Sequence, residues 1–337
     1  MNVKDLLRGC EVGGVQTVGV MSVIPLVSDV QDLNYLSPKG LKIGTTNYGT
    51  MEFKNEQELP VIIPTGVSYL TKRAGQDHAM CTPGFVGAGR HKKYDNAACI
   101  QQSQGGRISL QEHAMNFVPW SLREYIMQVN TEKSYGKLWS SISNYNSTVG
   151  LAQQGHLEYF YDTFKEQLEE FVAQFELVRD QVGAIILING SVFGVERAPS
   201  AKYFEDIFQP LIRDYYGGVA IQISRGMNYT MGTDHKIRFP IDSTKVSDIE
   251  SLKEQLAKAN NKEISNIKDI ARAIMEQEVV IAKTLEEISD KEIVQLSTQQ
   301  FGGDAFFQGE FPIYSSLFSK KEYLKNQKWF KSKEFSI

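Results

Sequence analysis

Val182-Gly-Ala-Ile-Ile-Leu-Ile-Asn-Gly-Ser-Val-Phe-Gly-Val195 consists of two apolar runs separated by two residues. Each run is too short for a buried helix, and Asn189-Gly190 supplies the two positive-φ positions that a tight hairpin turn demands. An antiparallel hairpin is the reading. Upstream, Leu157, Phe160, Tyr161, Phe164, Leu168, Phe171, Val172, Phe175 and Val178 recur at helical spacing. Asp162, Lys165, Glu166, Glu169 and Glu170 fall on the other side, so this is an amphipathic helix with one broad buried stripe. Downstream, Ser200 is placed to cap a second helix that buries Tyr203, Phe204, Ile207, Phe208, Leu211, Ile212 and Tyr215. Helix, hairpin and helix in unbroken succession point to an α+β fold.

The first 135 residues continue that reading toward β. Val18–Val27, Leu41–Thr46, Leu59–Ile63 and Ala97–Gln101 are short apolar runs punctuated by Gly and Pro, as strands are, and no helical period lasts beyond Leu110–Phe117. A mainly β N-terminal part with a mixed or antiparallel sheet is expected. From Ile241 to Gln300 there is no aromatic residue, no Gly and no Pro. Ser247 and Glu250 have capping-box spacing. Ile249, Leu252, Leu256, Ile264, Ile267, Ile270 and Ile274, continued by Ile281, Leu285 and Ile288, set one helical face. The spacing predicts an antiparallel helical hairpin turning near Asn260-Asn261. Phe311–Phe318 then reads as a strand. The expected division is an α+β core over 1–240, a helical insertion over 241–300, and a segment over 301–337 that rejoins the core sheet. An aliphatic seam flanked by Lys and Glu is how coiled coils pair. Residues 241–300 are therefore expected to carry a homo-oligomer contact or a protein partner, packing on the core being the alternative.

Composition narrows the function. The 337 residues carry 36 Lys and Arg against 40 Asp and Glu, a net charge of −4, so bulk nucleic-acid binding is not expected. With 42% hydrophobic residues, the chain has material for a core and is not a disordered segment. Cys10, Cys81 and Cys99 are too few and too odd for a disulfide framework, which favours a reducing compartment. The apolar stretch Val12–Val27 is broken by Gln16, Thr17 and Ser22 and lacks a cleavage site, so it reads as strand rather than signal peptide. No run reaches the ~18–20 apolar residues of a spanning helix, and no membrane association is expected. A cytoplasmic location follows, a virion being the other setting.

Candidate chemistry is sparse. Gly84-Phe-Val-Gly87-Ala-Gly89-Arg90-His91-Lys92-Lys93 sets basic side chains beside a permissive backbone. It matches neither the dinucleotide nor the P-loop fingerprint, so a mobile surface loop competes with a phosphate cradle. His78-x-x-Cys81, with His91 and Cys99, holds four metal-competent side chains but only one ligand-like gap, and no metal is expected. Asp77 beside His78 would be an acid–base pair only in a turn, since strand neighbours face opposite ways. No G-x-S-x-G, H-E-x-x-H or C-x-x-C occurs. Trp120 and Trp139 read as core. Gly105-Gly106 presents Arg107, either to a carboxylate at the sheet rim or, with Arg90 or Lys92, to an anionic ligand.

Several of these stretches occur together in one known family. Val23-Ile-Pro-Leu26, Leu59-Pro-Val-Ile-Ile-Pro-Thr-Gly66, Gln76 in Ala74-Gly-Gln-Asp-His, Cys99-Ile-Gln, Gly105-Gly-Arg107, Val182-Gly-Ala-Ile, Asn189-Gly190, Gly194 and Tyr203–Tyr216 carry the resemblance. Over about 14–225, with a weaker match near 305–320, the chain resembles the ARG and rhodanese-phosphatase-superfamily-associated protein domain family. The resemblance implies a genomic association with ADP-ribose and NAD metabolism, not an established reaction. The family pattern has an acidic pair after the glycine matching Gly66, where this chain has Val67-Ser68, and a Glu where it has Gln101. The 241–300 block lies outside that pattern. A Gln cannot exchange a proton as a Glu does. The expectation is therefore a non-catalytic binding or assembly protein needing no cofactor, with a phage virion or host-interaction component as one setting. The alternative is an enzyme or sensor acting on an ADP-ribose or NAD-derived nucleotide. Its anionic ligand would be held by Gly66, Gln76, Arg90, Lys92 and Arg107.

Overall fold

A computed structural model describes residues 1–45, 47–71, 75–103, 105–132, 135–231 and 247–326. The fold is α+β and mainly β, with 30% helix and 36% strand. In chain order the helices are α1 (Val3–Leu6), α2 (Arg123–Glu132), α3 (Tyr135–Thr148), α4 (Glu158–Val172), α5 (Ala201–Pro210), α6 (Gly217–Met231), α7 (Ile249–Met275) and α8 (Lys321–Leu324). A π-helical stretch, Leu211–Tyr216, joins α5 to α6. None of the helices is long and apolar enough to cross a membrane among the described residues.

The hairpin at 182–195 lies in the middle of a nine-stranded antiparallel sheet. Across it run Glu11–Val12, Met21–Val27, Gln181–Ile188, Ser191–Arg197, Phe311–Ser319, Phe301–Gln308, Lys291–Ser297 and Val280–Ile288, with Gln16–Val18 also pairing Met21–Val27. Asn189 and Gly190 turn the hairpin with φ of 50° and 75°. The run Val182–Ile188 is apolar throughout because both faces of its strand are covered. Ala184, Ile186 and Ile188 enter the main core with Phe193, Phe204 and Phe306. Ile185 and Leu187 enter a second core with Val3, Leu6, Ala271 and Ile274 on the opposite face. Gly194 is required by close approach: a Cβ there would lie 1.7 Å from the Tyr216 hydroxyl.

Against the first face pack α5 and three small antiparallel sheets from the N-terminal part. One has the order His91–Tyr94, Met51–Lys54, Lys42–Thr45, Ile108–Glu112. Another runs Ala97–Cys99, His78–Met80, Val67–Tyr69, Met115–Phe117, and Val61–Ile63 pairs Gly84–Val86. Helices α2, α3 and α4 cover the outer side of the second small sheet, burying Ala79, Cys81, Ala98, Leu122, Ile126, Ile142 and Phe160 together. The strands expected near 18–27, 42–45, 61–63 and 97–101 are present, and Leu110–Phe117 is strand rather than helix. Thr46, Ala74 and 327–337 lie outside the described residues.

Two expectations are corrected. The block after 247 is not a helical hairpin. α7 runs unbroken through Asn260-Asn261, and Val280–Ile288 with Lys291–Ser297 forms a β-hairpin at the end of the main sheet. Asn costs a helix interior only tenths of a kcal/mol, so two of them do not stop an otherwise regular aliphatic period. The residues after Val279 satisfy helical steps only by coincidence. Val280, Ile281, Ile293 and Val294 are β-branched and Ser289 sits at φ 58° in the turn. The cap also moves by one residue: Asp248 accepts from the Ser251 N–H at 2.7 Å. Second, Arg123–Glu132 is helical inside the region read as strand and turn, and Tyr135–Thr148 is a further helix that the spacing did not predict. Their buried period, Leu122, Ile126, Val129, then Leu138, Ile142, Tyr145 and Val149, is diluted by Ser, Asn and Gln between.

Candidate functional site

Residues of the family pattern meet in the second small sheet. Register places Tyr69 opposite His78 and His78 opposite Cys99. Extended strands alternate their faces, so His78 and Cys99 look toward the main core while Ala79 and Ala98 look toward α2–α4. His78 receives the Gly49 N–H at Nε2 (3.1 Å), and Nδ1 faces the Gln76 carbonyl at 3.0 Å, which makes Nδ1 the protonated nitrogen. Burial lowers its pKa to about 4, so the imidazole is neutral. Cys99 donates its S–H to the Gln101 carbonyl at 3.2 Å, and burial raises the thiol to about 11.

Asp77 answers to a different set. Thr71 donates to Oδ1 from both its N–H and its hydroxyl, each at 2.7 Å, and Gln101 Nε2 donates to Oδ2 at 3.2 Å. Burial still pushes this carboxyl above its ordinary value, although the three donors oppose the shift. Asp77 and His78 therefore hold separate partners and do not act as a pair. Gln76 Oε1, Gln101 Oε1 and the Tyr69 hydroxyl are buried without a hydrogen-bond partner. Each such atom carries a desolvation cost of about 1–3 kcal/mol unless a water or ligand meets it.

The expected ligand residues do not converge. Gly66 is interior, at φ 81°, giving its N–H to the Met80 carbonyl and taking the Val118 N–H. Gln76 is buried, and a Cβ on its neighbour Gly75 would lie 3.4 Å from the Arg107 carbonyl. Arg90 is exposed in the turn closed by its own N–H to the Gly87 carbonyl. Lys92 pairs with Glu286 and lies 4.9 Å from the Tyr94 ring centroid. Lys92 occupies one edge strand of the first small sheet, and Arg107 enters the other edge strand, three strand spacings or about 14 Å away. Arg107 is exposed and makes no ion pair among the described residues, so the expected rim carboxylate is not there. The reason is topological: two intervening strands separate loops that are near in sequence. The four metal-competent side chains also part. His91 is exposed 3.6 Å from Glu52, and Cys81 is buried in the helix-side core. Trp120 and Trp139 are satisfied, donating to the Phe193 and Cys99 carbonyls at 3.1 and 3.0 Å.

A second buried polar node had no local signal in the sequence. Arg123 Nη2 donates to Asp304 Oδ2 at 2.9 Å, while Nη1 donates to Ser316 Oγ at 2.8 Å and the Tyr215 hydroxyl at 3.0 Å. Thr65 also donates to Asp304, at 2.9 Å. Glu196 accepts from the Tyr216 hydroxyl at 2.5 Å. Two carboxyls thus share one guanidinium, and burial holds Glu196 up, to about 7, despite the Arg123 charge. This node ties the main sheet to the second small sheet's helices. Every member is buried, and Arg123 Nε and Asp304 Oδ1 are without a hydrogen-bond partner.

Comparison with known proteins bears on the whole chain. No curated protein and no solved structure matches it. One family model does, over residues 9–299. That span takes in α7 and the terminal β-hairpin, so the block after 241 is inside the family pattern and not, as the resemblance implied, outside it. The central hairpin, α2 to α7 and the motif cluster fall within the matched residues, while α1, α8 and the strands Phe301–Gln308 and Phe311–Ser319 lie outside them, and with most of its length matched the chain belongs to the ARG and Rhodanese-Phosphatase-superfamily-associated Protein domain family.

Proposed function

We propose that this chain is a non-catalytic binding and assembly protein that self-associates through α7. The observation that carries the reading is the exposure of that helix. Twenty-seven residues span about 40 Å, yet only Ile270, Ala271, Ile274 and Met275 at its end pack on the sheet among its described side chains. Ile249 is 74% exposed, and Glu250, Lys253, Glu254, Lys268 and Asp269 are exposed too. Ile249 begins the aliphatic period of α7 and stands in solvent, and burying such a period against a partner is favourable. A second copy fits because the helix is almost neutral. Lys253, Lys258, Lys262, Lys268 and Arg272 stand against Glu250, Glu254, Glu263 and Asp269, so antiparallel pairing meets no large repulsion. Neutral His78, protonated Cys99 and a hydrogen-bonded Asp77 offer no activated nucleophile, which also favours binding over catalysis. A cytoplasmic setting, or a phage virion or host-interaction role, accords with this reading.

Multi-angle light scattering over a concentration series tests it. The parent is expected to run as a dimer or larger, and Ile249→Glu to shift it toward monomer with unchanged circular dichroism. A parent that stays monomeric across the whole concentration series sinks the proposal. The second reading is an enzyme or sensor acting on an ADP-ribose or NAD-derived nucleotide. It is favoured by the unpartnered Gln76, Gln101 and Tyr69 atoms at the motif cluster. A thermal-shift series with NAD and ADP-ribose decides it, since a ligand at a hundred times its Kd stabilises by about 2.7 kcal/mol.

A further inference from the structure

Residues of α2, α3, α6 and α8 border a cleft of about 400 Å³, within the size range of small-ligand sites. Its lining is almost entirely neutral and polar, with hydroxyls and amides from Ser121, Ser141, Thr148, Gln153 and Gln222. Lys321 is the one charged residue in it among the described residues. That lysine is only 9% exposed, and its ammonium lies 4.4 Å from the Tyr125 ring centroid. No carboxylate lies within ion-pair distance of it among the described residues. Glu124, the nearest acid in its electrostatic surroundings, meets the Lys321 backbone N–H at 3.4 Å and lines the neighbouring cavity instead.

A buried ammonium that lacks a counter-ion is costly, and an aromatic face offsets only part of that cost. Burial lowers the Lys321 pKa to about 8, with Glu124 opposing, so the group is still mostly charged at neutral pH. The neutral groups beside it are already ordered. Ser121 Oγ donates to Gln222 Oε1 at 2.8 Å, Gln222 Nε2 to Thr148 Oγ1 at 2.8 Å, and that hydroxyl to the Tyr145 carbonyl at 2.7 Å. One cation in a cleft that also holds fixed hydroxyls and amides matches one anionic group on a polyhydroxylated body.

We infer that this cleft binds a sugar phosphate or sugar acid, its anionic group on Lys321 and its hydroxyls along the Ser121–Gln222–Thr148 row. No residue of α7 lines the cleft among the described residues, and the inference does not rest on self-association. Isothermal titration of the full chain with ribose 5-phosphate, gluconate, neutral ribose and inorganic phosphate tests it. At least one of the two anionic sugars should bind at least tenfold more tightly than ribose and than inorganic phosphate, and the tighter of the two identifies the preferred anion. Lys321→Met should raise that Kd at least tenfold while light scattering stays as in the parent. Ser141→Trp, which fills the cleft from α3, should abolish the binding heat and covers the case in which Lys321→Met fails to fold. No heat from either anionic sugar at millimolar concentration, equal affinity for ribose or phosphate, or parental affinity in either folded variant would overturn the inference.

Discussion

Arg123 and His78 occupy buried polar nodes built in opposite ways. Around Arg123, two carboxyls, a guanidinium and three hydroxyls come from Thr65, Arg123, Glu196, Tyr215, Asp304 and Ser316, positions scattered over most of the chain. Around His78 and Asp77, the partners Gly49, Thr71, Gln76 and Gln101 come from one stretch of small-sheet strands and turns, and the histidine and cysteine are neutral. The first node is held by charge and the second by fitted hydrogen bonds. A buried charge is tolerable only while its partner is present, whereas a neutral group demands only donors and acceptors in place. The nodes should therefore fail differently.

Removing the central charge should have the largest effect. Arg123→Met leaves Asp304 buried without its cation, and urea unfolding should show a loss of about 3–5 kcal/mol. Adding Asp304→Leu should restore much of it, because the uncompensated charge is gone. A loss below about 1 kcal/mol for Arg123→Met would mean the node is not held by charge.

The pH response should separate the nodes next. Glu196 keeps its proton in the fold up to about pH 7, whereas its ordinary value is 4.5. The folded state binds the extra proton between those values, so this contribution is present at low pH and is lost as pH rises through 7. His78 runs the other way: its pKa is about 4 in the fold against an ordinary 6.5. Its contribution is present above pH 6.5 and is lost as pH falls toward 4. Each amounts to roughly 3 kcal/mol, and over the shared window they offset one another. Glu196→Gln should uncover the histidine slope, with stability in urea falling steadily from pH 6.5 to 4.5. An unchanged pH profile in that variant would remove Glu196 from the account.

A smaller effect should follow from making the second node resemble the first. Gln101→Glu places a carboxyl on Asp77, where Nε2 now stands 3.2 Å from Oδ2. Two acids so close share a proton. A loss of roughly 1–3 kcal/mol at pH 8, recovered on acidification as one acid stays protonated, is expected by chemical denaturation. No loss at pH 8 would show that the site has room and water enough to accept charge. Smallest of all is Arg107→Lys. Arg107 is exposed and unpaired among the described residues, so its thermal midpoint should stay within the change produced by about 0.5 kcal/mol. A larger drop would reveal a contact that its exposure does not suggest.

The same contrast marks what could be read from residues alone. Members of the Asp77 node carried separate signals in the sequence, Gln76 as a ligand residue, Asp77 and His78 as an acid–base pair, His78 and Cys99 within a metal set and Gln101 as a lost carboxylate, and strand register and hydrogen bonding join them. Arg123, Glu196 and Asp304 carry no such signal: each is an ordinary charged residue until the sheet brings it beside the others. Arg90, Lys92 and Arg107 erred in the opposite direction, since nearness in sequence did not survive the strand order. Lys321 was invisible for a related reason, as its charge is notable only after α2 and α3 have buried it.

The central hairpin, the helices on either side of it and the mainly β N-terminal part were determined by the sequence itself, because turn chemistry and apolar periodicity act over a few neighbouring residues. The course of the chain after Asn260 was not, since Ile281, Leu285 and Ile288 keep helical steps while lying in a strand whose register is shifted by bulges. The main sheet decided it: its edge beside Phe301–Gln308 offered unpaired backbone groups that Lys291–Ser297 and then Val280–Ile288 satisfy. Strand order likewise decided which charges meet, because pairing across a sheet joins residues by register and not by distance along the chain.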